Sequence, residues 1–573
     1  MKPLTIYDYD EIKEYLDLAD YEGYNSNFVT MMMWNHEYHI EYEIHKNFLV
    51  MLHRYKNEQF WAMPFTSKDH YKEAIDYMLD YSKRHGFTFK LDCAIKSFVE
   101  ELKDIYKDKF LYIRTEYNDD YIYDKNMHLT LSGKKMQKRR NHYNAFLKEY
   151  PHYEYKEINF TKDFNEVLKC ISKWGTSKEE LSESIISEVY GIMYLFSYRE
   201  LLNIKAGGIY INNQLEAFII ASPLNHKTIQ IIIEKANKDI RGLYPAILKE
   251  FLERNFKDYE YINREEDMGL ENLIKSKRSL HPVKMIEKYQ IVENDIKIDN
   301  AKSEDINDLK KIWLNVFSDE TQKSADFYFQ NCFNMNNTFI LKNNNEIISG
   351  MQIVPYQMKI NNKEEECYFI LGVFTKREYE RQGLMKKLMT YILSEDKYKD
   401  KKIYLQAYNP KIYESFKFYP SHYHYLYKPN YNDYINMEKC NIIVDYNESI
   451  LKELYQTYTK NFDEYRIRDI NYYNWLIKRT KSFDQKILLF EYNKKIEGYV
   501  IFSLDNELYV NEIIYTNQEA LNRIISSLFT IHSNVIIETD LKCRIFGSKK
   551  EIVTMLSNYK NQDYLNKYIN EVY

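Results

Sequence analysis

The sequence predicts an α/β (α+β) protein made of repeated modules, each a mixed, mostly antiparallel sheet flanked by helices. Three observations carry that expectation. A chain of 573 residues is too long for a single hydrophobic core. Three stretches share one pattern, an apolar strand, an Asn-containing turn and a second apolar strand: 207–222 (GGIYINNQLEAFIIAS), 338–354 (TFILKNNNEIISGMQIV) and 487–503 (ILLFEYNKKIEGYVIFS). Each follows several dozen residues of polar, helix-rich sequence. Asparagine tolerates the positive φ of a tight turn and the flanks carry strand formers, so each stretch reads as a β-hairpin. A weaker fourth copy spans 36–63.

Composition bounds the partners. Hydrophobic residues make up 45% and charged residues 29%, as in a globular protein able to bury large cores. Lys plus Arg number 80 against 85 Asp plus Glu, a net charge of -5, so nothing global draws the chain to nucleic acid or anionic lipid. Any such partner must be met by a local patch. The six cysteines (Cys93, Cys170, Cys332, Cys367, Cys440 and Cys543) form no CxxC pair and have no histidine at ligand spacing, which argues against a zinc site or a disulfide framework. No run approaches the roughly 18 apolar residues that cross a bilayer. The start, MKPLTIYDYDEIKEYL, lacks the basic-then-apolar order of a signal peptide. A cytoplasmic protein with no membrane span is expected.

Boundaries follow from pattern changes. In VENDIKIDNAKSEDINDLKKIWLNVF a short strand, IKI, is followed by a turn and by a helix opening at Ser303 and Asp305. Its apolar face is Ile306, Leu309, Ile312, Trp313 and Val316. A softer junction lies between Asn430 and Cys440. The expected domains are 1–292, 293–435 and 436–573.

The chemistry concentrates after residue 366. Residues 367–375 (CYFILGVFT) are continuously apolar, as in a strand buried on both faces. KREYERQ then leads into a helix whose Leu384, Met385, Leu388, Met389, Ile392 and Leu393 share one face. Gly383 stands at that strand-loop-helix corner. Unpaired N–H groups at a helix start, with a glycine that admits close approach, suit a pyrophosphate, and Arg381, Lys386 and Lys387 add counter-charge. On geometry alone the corner fits many phosphate ligands, or a glycine that merely turns the chain. Downstream, in KKIYLQAYNPKIYESFKFYP, a strand at 403–408 breaks at Asn409 and Pro410 into a short helix carrying Tyr413.

In this order of elements, residues 295–430 resemble the GCN5-related N-acetyltransferase (GNAT) family, whose coenzyme A loop, Arg/Gln-x-x-Gly-x-Gly/Ala, follows a buried strand. Here Glu380 stands at the first basic position and Met385 at the last small one. The family's Tyr-x-x-x-Gly-Phe is matched by Tyr413, Lys417 and Phe418, with Lys417 in the place of glycine, which calls for a strained or differently shaped turn. The block after 436 resembles the enhanced intracellular survival subfamily, with two acetyltransferase-like units and a sterol-carrier-like end that is short here. The resemblance implies acetyl-CoA as cosubstrate, no metal and an amine acceptor. It implies that Val373, Phe374 and Thr375 line the thioester and pantetheine arm, that Arg381, Gln382, Gly383, Leu384, Met385 and Lys386 hold the pyrophosphate, and that Tyr408 and Asn409 line the coenzyme. Tyr413 would protonate the departing thiolate, since a phenol of pKa about 10 is protonated at neutral pH. The C-terminal carboxylate of Tyr573 would be the base. Alternatives stay open: Tyr413 as a core tyrosine, Tyr573 as a solvated end.

The first 292 residues carry a different signature. Lys134, Lys135, Lys138, Arg139, Arg140 and His142 lie on or before a helix whose Tyr143, Phe146 and Leu147 can face a core. That basic run suits phosphates or is a solvated face. With NSNFVTMMMWNHEY, IIIEKANKDIRGLYPAILKEFL and YINREEDMGLENLIKSKRSLHPVKMIEKY, it resembles an uncharacterised bacterial domain related to the catalytic part of phosphatidylglycerol lysyltransferases. The resemblance covers nearly all of residues 1–290. It implies two further acetyltransferase-like units, charged tRNA as a partner of 134–142, and a soluble acceptor in the absence of those enzymes' membrane-spanning part. Glu234, Arg264, Glu265, Asp267, Lys277 and Arg278 are the candidates for a polar pocket. The expected function is N-acetyl transfer from acetyl-CoA to a primary amine; the alternatives are an aminoacyl-tRNA-dependent transferase and a non-catalytic coenzyme A-binding scaffold. Related enzymes of the C-terminal type often form oligomers.

Overall fold

The computed structural model describes residues 1–159, 162–175, 183–407, 409–559 and 566–570. The chain divides into two compact units, Met1–Asn294 and Asp295–Tyr573.

Turn chemistry builds the hairpins. Asn212 and Asn213 (φ 50° and 60°), Asn344 and Asn345 (47° and 71°), and Asn493 and Lys494 (51° and 64°) all sit in the left-handed region. Two consecutive positive φ values match the twist of the flanking strands. The strands so joined are Lys205–Ile211 with Gln214–Pro223, Thr338–Asn343 with Glu346–Ile360, and Lys486–Tyr492 with Lys495–Leu504. The weaker copy is also a hairpin, Leu49–Tyr55 with Glu58–Trp61.

The first unit holds two seven-stranded sheets. One runs Lys2–Pro3, Glu41–Ile44, Leu49–Tyr55, Glu58–Trp61, Lys90–Ile95, Lys288–Glu293, Phe110–Arg114. Its single parallel contact joins Trp61 to Leu91. The other runs Lys284–Ile286, Asp120–Asp124, Tyr261–Asn263, Thr228–Ala236, Gln214–Pro223, Lys205–Ile211, Glu154–Glu157, with Thr228–Ala236 parallel to Tyr261–Asn263. Each half therefore lends a strand to the other. Lys288–Glu293, from the end of the unit, inserts between two early strands, and Asp120–Asp124, from the first half, inserts between two late ones. At this crossover Lys288 Nζ pairs with Asp120, both side chains fully buried.

The second unit repeats the plan as one fourteen-stranded sheet. Tyr419–Pro429 and Gly547–Ser557 pair antiparallel along their whole length, from Tyr419 opposite Ser557 to Pro429 opposite Gly547. Ile403–Leu405 of the first half adjoins Gly547–Ser557, and Val535–Thr539 of the second half adjoins Tyr419–Pro429. The same exchange in the first unit is interrupted by the turn Glu116–Asn118 and by Glu287, so its sheet splits in two. Here the pairing is continuous and the sheet stays whole. The late segment Lys567–Tyr568 pairs in parallel with Glu464–Arg466, which also adds to the end of Glu346–Ile360.

Candidate functional site

Lys363–Thr375 runs parallel to Ile403–Leu405 for three residue pairs, Tyr368–Ile403, Phe369–Tyr404 and Ile370–Leu405. The second strand then stops, three residues short of the 403–408 expected. Leu371, Gly372 and Val373 are consequently half-buried rather than enclosed on both faces, and the two strands part into a cleft. At that point Gly350 faces Phe374 while Gln352 faces Leu371, so Gly372 and Val373 form a bulge that takes backbone groups out of the ladder. Gly372 has φ 59°, and a Cβ there would lie 2.7 Å from the Trp313 ring. Only glycine satisfies both constraints. Phe374 is an anchor: its ring packs on Gly350 and its carbonyl accepts a hydrogen bond from Ser349 Oγ at 2.7 Å. Thr375 Oγ1 lies 3.0 Å from the same hydroxyl.

The loop that follows is fastened at its base, because Lys376 Nζ and Tyr379 Oη both donate to Glu346, each at 2.6 Å. Arg381 (φ 61°) and Gly383 (φ 74°) are left-handed. Gly383 is the N-cap of the helix Leu384–Ser394 and supplies no side-chain cap, so the N–H groups of the first turn have no partner within the helix. A Cβ on Gly383 would meet no atom within 4 Å. Leu384, Leu388, Met389 and Ile392 are buried, each contributing about 1.5–3 kcal/mol of apolar burial; that fixes the helix start in place. Arg381 and Lys386 are exposed, Gln382 and Met385 half-buried. A partial positive charge, open space and two flexible cations are together able to hold a phosphate.

On the other wall, Gln406 is exposed and Tyr408 lies outside the described residues. Asn409 is committed locally, its Oδ1 accepting from Lys411 N at 3.2 Å to cap the 3-10 helix Pro410–Phe416. Tyr413 lies on that helix, half-buried, and burial pushes its phenol pKa up. Lys417 occupies the glycine position in a left-handed conformation, φ 63°. Its N–H donates to Glu414 O at 2.9 Å and that of Phe418 donates to Tyr413 O at 3.2 Å, which holds the strained turn. Tyr573 lies outside the described residues. The tail up to Asn570 is anchored: Arg468 Nη2 donates to Asn570 O at 2.6 Å, and Asn570 Nδ2 donates to Asn511 O at 2.8 Å.

The second half of this unit repeats the parallel pair, Leu508–Tyr515 with Val535–Thr539, and a bulge at Asn511. Its helix start is shut. Asn517 Oδ1 accepts from Ala520 N at 3.0 Å at the start of Gln518–Leu528. Buried Asp540 accepts hydrogen bonds from the Tyr458 and Tyr515 hydroxyls and from Lys542 N and Cys543 N.

In the first unit, Gly242 (φ 84°) likewise opens a helix, Leu243–Arg254, but a Cβ there would lie 2.1 Å from His142 O. The helix Gln137–Glu149 covers that start. Where the parallel strands part stands a buried ion pair, Glu234 with Arg264 at 2.6 Å. Arg139 turns inward: burial lowers its guanidinium to about 10, against the opposing effect of Glu234. The basic run thus divides. Arg140 Nη1 donates to the Leu131 and Gly133 carbonyls, whereas Lys134, Lys135, Lys138 and His142 line an open cavity of about 370 Å³ with Arg241. Burial and then Arg241, Lys138 and Arg139 lower the His142 pKa. The polar candidates fall into three contacts: Glu234 with Arg264, Lys277 donating to the carbonyls of Arg264 and Glu265, and Asp267 accepting from Tyr121 at 2.6 Å beside Arg278. Glu265 is left-handed, φ 59°; burial and the adjacent Glu266 push its carboxyl up to about 8.

A family model for the phosphatidylglycerol lysyltransferase C-terminal region matches residues 17–292, and one for the acetyltransferase (GNAT) domain matches residues 297–420. The chain joins these two acyltransferase-family domains. An uncharacterised protein of Mycoplasmoides gallisepticum is 29% identical over 178 residues, 31% of this chain and 56% of that protein; the chain thus spans little more than half of this curated relative. A conserved protein of unknown function from Bacteroides thetaiotaomicron is 29% identical, with 51% of this chain and 99% of that chain covered and a TM-score of 0.49. A probable N-acyltransferase from Enterococcus faecalis is 15% identical, with 46% and 72% covered and a TM-score of 0.40. Among the described residues, no helix is long and apolar enough to cross a membrane.

Sequence reasoning missed several buried polar groups of the GNAT half and its partner. Arg468 pairs with Glu512 at 2.9 Å, and His424 with Glu538 at 3.0 Å. Each pair joins residues distant in sequence, so no local pattern announces it.

Proposed function

We propose that the chain transfers an acetyl group from acetyl-CoA to a primary amine in its GNAT domain, as a cytoplasmic enzyme. The observation that carries this reading is the uncapped, open helix start at Gly383 beside a bulged pair of parting parallel strands. Among the described residues, it is the one glycine-capped helix start of this kind whose Cβ position is clear. Arg381, Lys386 and the N–H groups from Gln382 to Met385 bind the pyrophosphate; Leu384 anchors the loop. Val373 to Thr375 line the acyl arm, with Asn409 on the facing wall; Tyr408, which lies outside the described residues, is assigned to the coenzyme as well. As the amine nitrogen bonds to the acetyl carbon and the C–S bond breaks, Tyr413 gives its proton to the sulfur, and the carboxylate of Tyr573 takes the proton lost by nitrogen. Tyr413 suits its role because its raised pKa keeps the phenol protonated.

The test is calorimetric binding of acetyl-CoA to the full chain beside Gly383→Trp. Binding that the substitution abolishes supports the reading; a folded wild-type chain that binds none overturns it. Tight binding without turnover over a broad amine panel favours a coenzyme A-binding scaffold instead.

A second reading is aminoacyl transfer from charged tRNA by the first unit. The cavity lined by Lys134, Lys135, Lys138, His142 and Arg241 favours it, together with the lysyltransferase match. Failure of charged tRNA to bind the full chain at low salt removes it.

A further inference from the structure

A recess of about 120 Å³ lies over the central strands of the second unit, lined by Gln406, His424, Asn511, Glu538, Thr554 and Asn570 with two apolar neighbours. It is built rather than incidental. Gln406 directly follows Leu405, the last residue of the parting strand, and Asn511 is the bulge residue of the second half. Asn570 is held there by Asn511 and Arg468. His424 is 1% exposed. Its Nδ1 lies 3.0 Å from Glu538 Oε1, whose other oxygen accepts from Tyr509 Oη at 3.2 Å. The carboxylate accepts a hydrogen bond from Nδ1–H, which leaves Nε2 as a lone-pair acceptor. Nε2 is buried and has no hydrogen-bond partner among the described residues; Thr554 Oγ1 is in the same state.

Two unmet buried polar atoms are costly unless something meets them. Among the described residues, the lining holds one carboxylate and no lysine or arginine. Two buried cations of this unit are already matched, Lys567 by Glu464 at 3.8 Å and Arg468 by Glu512 at 2.9 Å. The recess therefore carries negative charge and offers acceptors: the Glu538 carboxylate, the imidazole Nε2 and three side-chain amide oxygens. A water occupies roughly 30 Å³ of liquid, so the space suits an aminomethyl-sized head and not a bulky one.

We infer that this recess receives the primary ammonium group of the acceptor, with His424 Nε2 as the atom that takes its proton. The first proton moves from the ammonium nitrogen to Nε2, leaving a neutral amine and an imidazolium whose Nδ1–H is held by Glu538; the second, lost as nitrogen bonds to the acetyl carbon, is the one the acetyl-transfer reading gives to Tyr573. The catalytic use of that amine rests on the acetyl-transfer reading; the binding does not.

The test uses the full chain with isotope-labelled histidine, titrated with methylammonium chloride and, separately, with tetramethylammonium chloride, which has the charge but no N–H donor. The His424 signal is identified by its loss in His424→Gln, or by its displacement in the isosteric Glu538→Gln and in Thr554→Val should the first variant not fold. The expected result is a saturable shift of that signal with methylammonium and none with tetramethylammonium, with affinity about tenfold weaker in Glu538→Gln, the loss of roughly one charge-assisted contact. An unmoved His424 signal, or equal shifts with both salts, overturns the proposal. Acetyl-CoA calorimetry on the same sample separates the two claims. Methylammonium binding without acetyl-CoA binding leaves the recess standing and removes the acetyl-transfer reading; the converse removes the recess alone.

Discussion

Gly383 and Asn517 hold the same place in the two halves of the second unit, at the start of the helix that follows each parallel strand pair, and only Gly383 leaves the first turn open. Asn517 fills its own turn by accepting from Ala520 N at 3.0 Å, whereas no atom lies within 4 Å of a Cβ on Gly383. Substituting the two therefore separates binding from stability. Asn517→Ala costs about 1 kcal/mol of stability and leaves acetyl-CoA affinity unchanged. Gly383→Ala costs a similar amount, about 1–2 kcal/mol, through its left-handed φ, and Gly383→Trp also abolishes binding. Thermal melts with calorimetry check both; loss of acetyl-CoA binding in Asn517→Ala would overturn the assignment of the coenzyme site to Gly383.

Tyr413→Phe keeps the ring and removes the proton. If the phenol supplies the sulfur, turnover falls by about 10²–10⁴ while the acetyl-CoA Kd stays the same. Burial raises the Tyr413 pKa, so the group stays protonated through the ordinary tyrosine range and its deprotonation limits turnover only above pH about 10. A pH-rate profile that loses activity below that value assigns the limb to another group, and equal turnover in the phenylalanine variant removes the role.

Much of this architecture is local chemistry and so is legible in sequence. The Asn212–Asn213 and Asn344–Asn345 turns declare their hairpins because few residues accept consecutive positive φ values, and Gly383 marks a helix start after an apolar strand. What stays hidden is non-local. Nothing near Lys288–Glu293 tells that its two sheet neighbours lie nearly two hundred residues earlier, since a strand's pattern specifies its faces and not its neighbours. Ile403–Leu405 ends after three residues, while Gly547–Ser557 goes on to pair with Tyr419–Pro429, a tertiary arrangement that no local pattern encodes. Arg139 reads as one more surface cation, yet Glu234 attracts it inward against the repulsion of Arg264. His424 and Glu538 are 114 residues apart, and their pairing exists only in the folded sheet.

Glu464 ties the late segment to the sheet. Burial alone would raise its pKa, but the His422 contact, Lys567 and the hydrogen bond from Tyr559 outweigh that and hold it at about 2, against an ordinary 4.5. A folded pKa below the unfolded one stabilises the fold above the unfolded value, and that stability drains away as pH falls from about 4.5 toward 2. Its size is on the order of 3 kcal/mol. In Glu464→Gln the second unit loses stability at neutral pH, since Lys567 is left buried without its counter-charge, and its acid sensitivity over that window flattens. Chemical denaturation at several pH values reads both effects; an unchanged slope in the variant assigns acid sensitivity elsewhere.

The basic run of the first unit permits a sharper contrast, because its members have different partners. Lys134, Lys138 and Arg241 line the open cavity, whereas Arg140 is spent on the Leu131 and Gly133 carbonyls. If tRNA phosphates enter that cavity, Lys134→Ala, Lys138→Ala and Arg241→Ala each weaken binding and lower the slope of log affinity against log salt by about 1. Arg140→Ala lowers the melting temperature and leaves the slope in place, since a guanidinium bonded to backbone carbonyls releases no counterion on binding. Titrations of tRNA over a range of salt concentrations measure these slopes directly. Equal slopes in all four variants and the wild type mean that the cavity meets no phosphate, and with that the tRNA-dependent reading of the first unit loses its structural support.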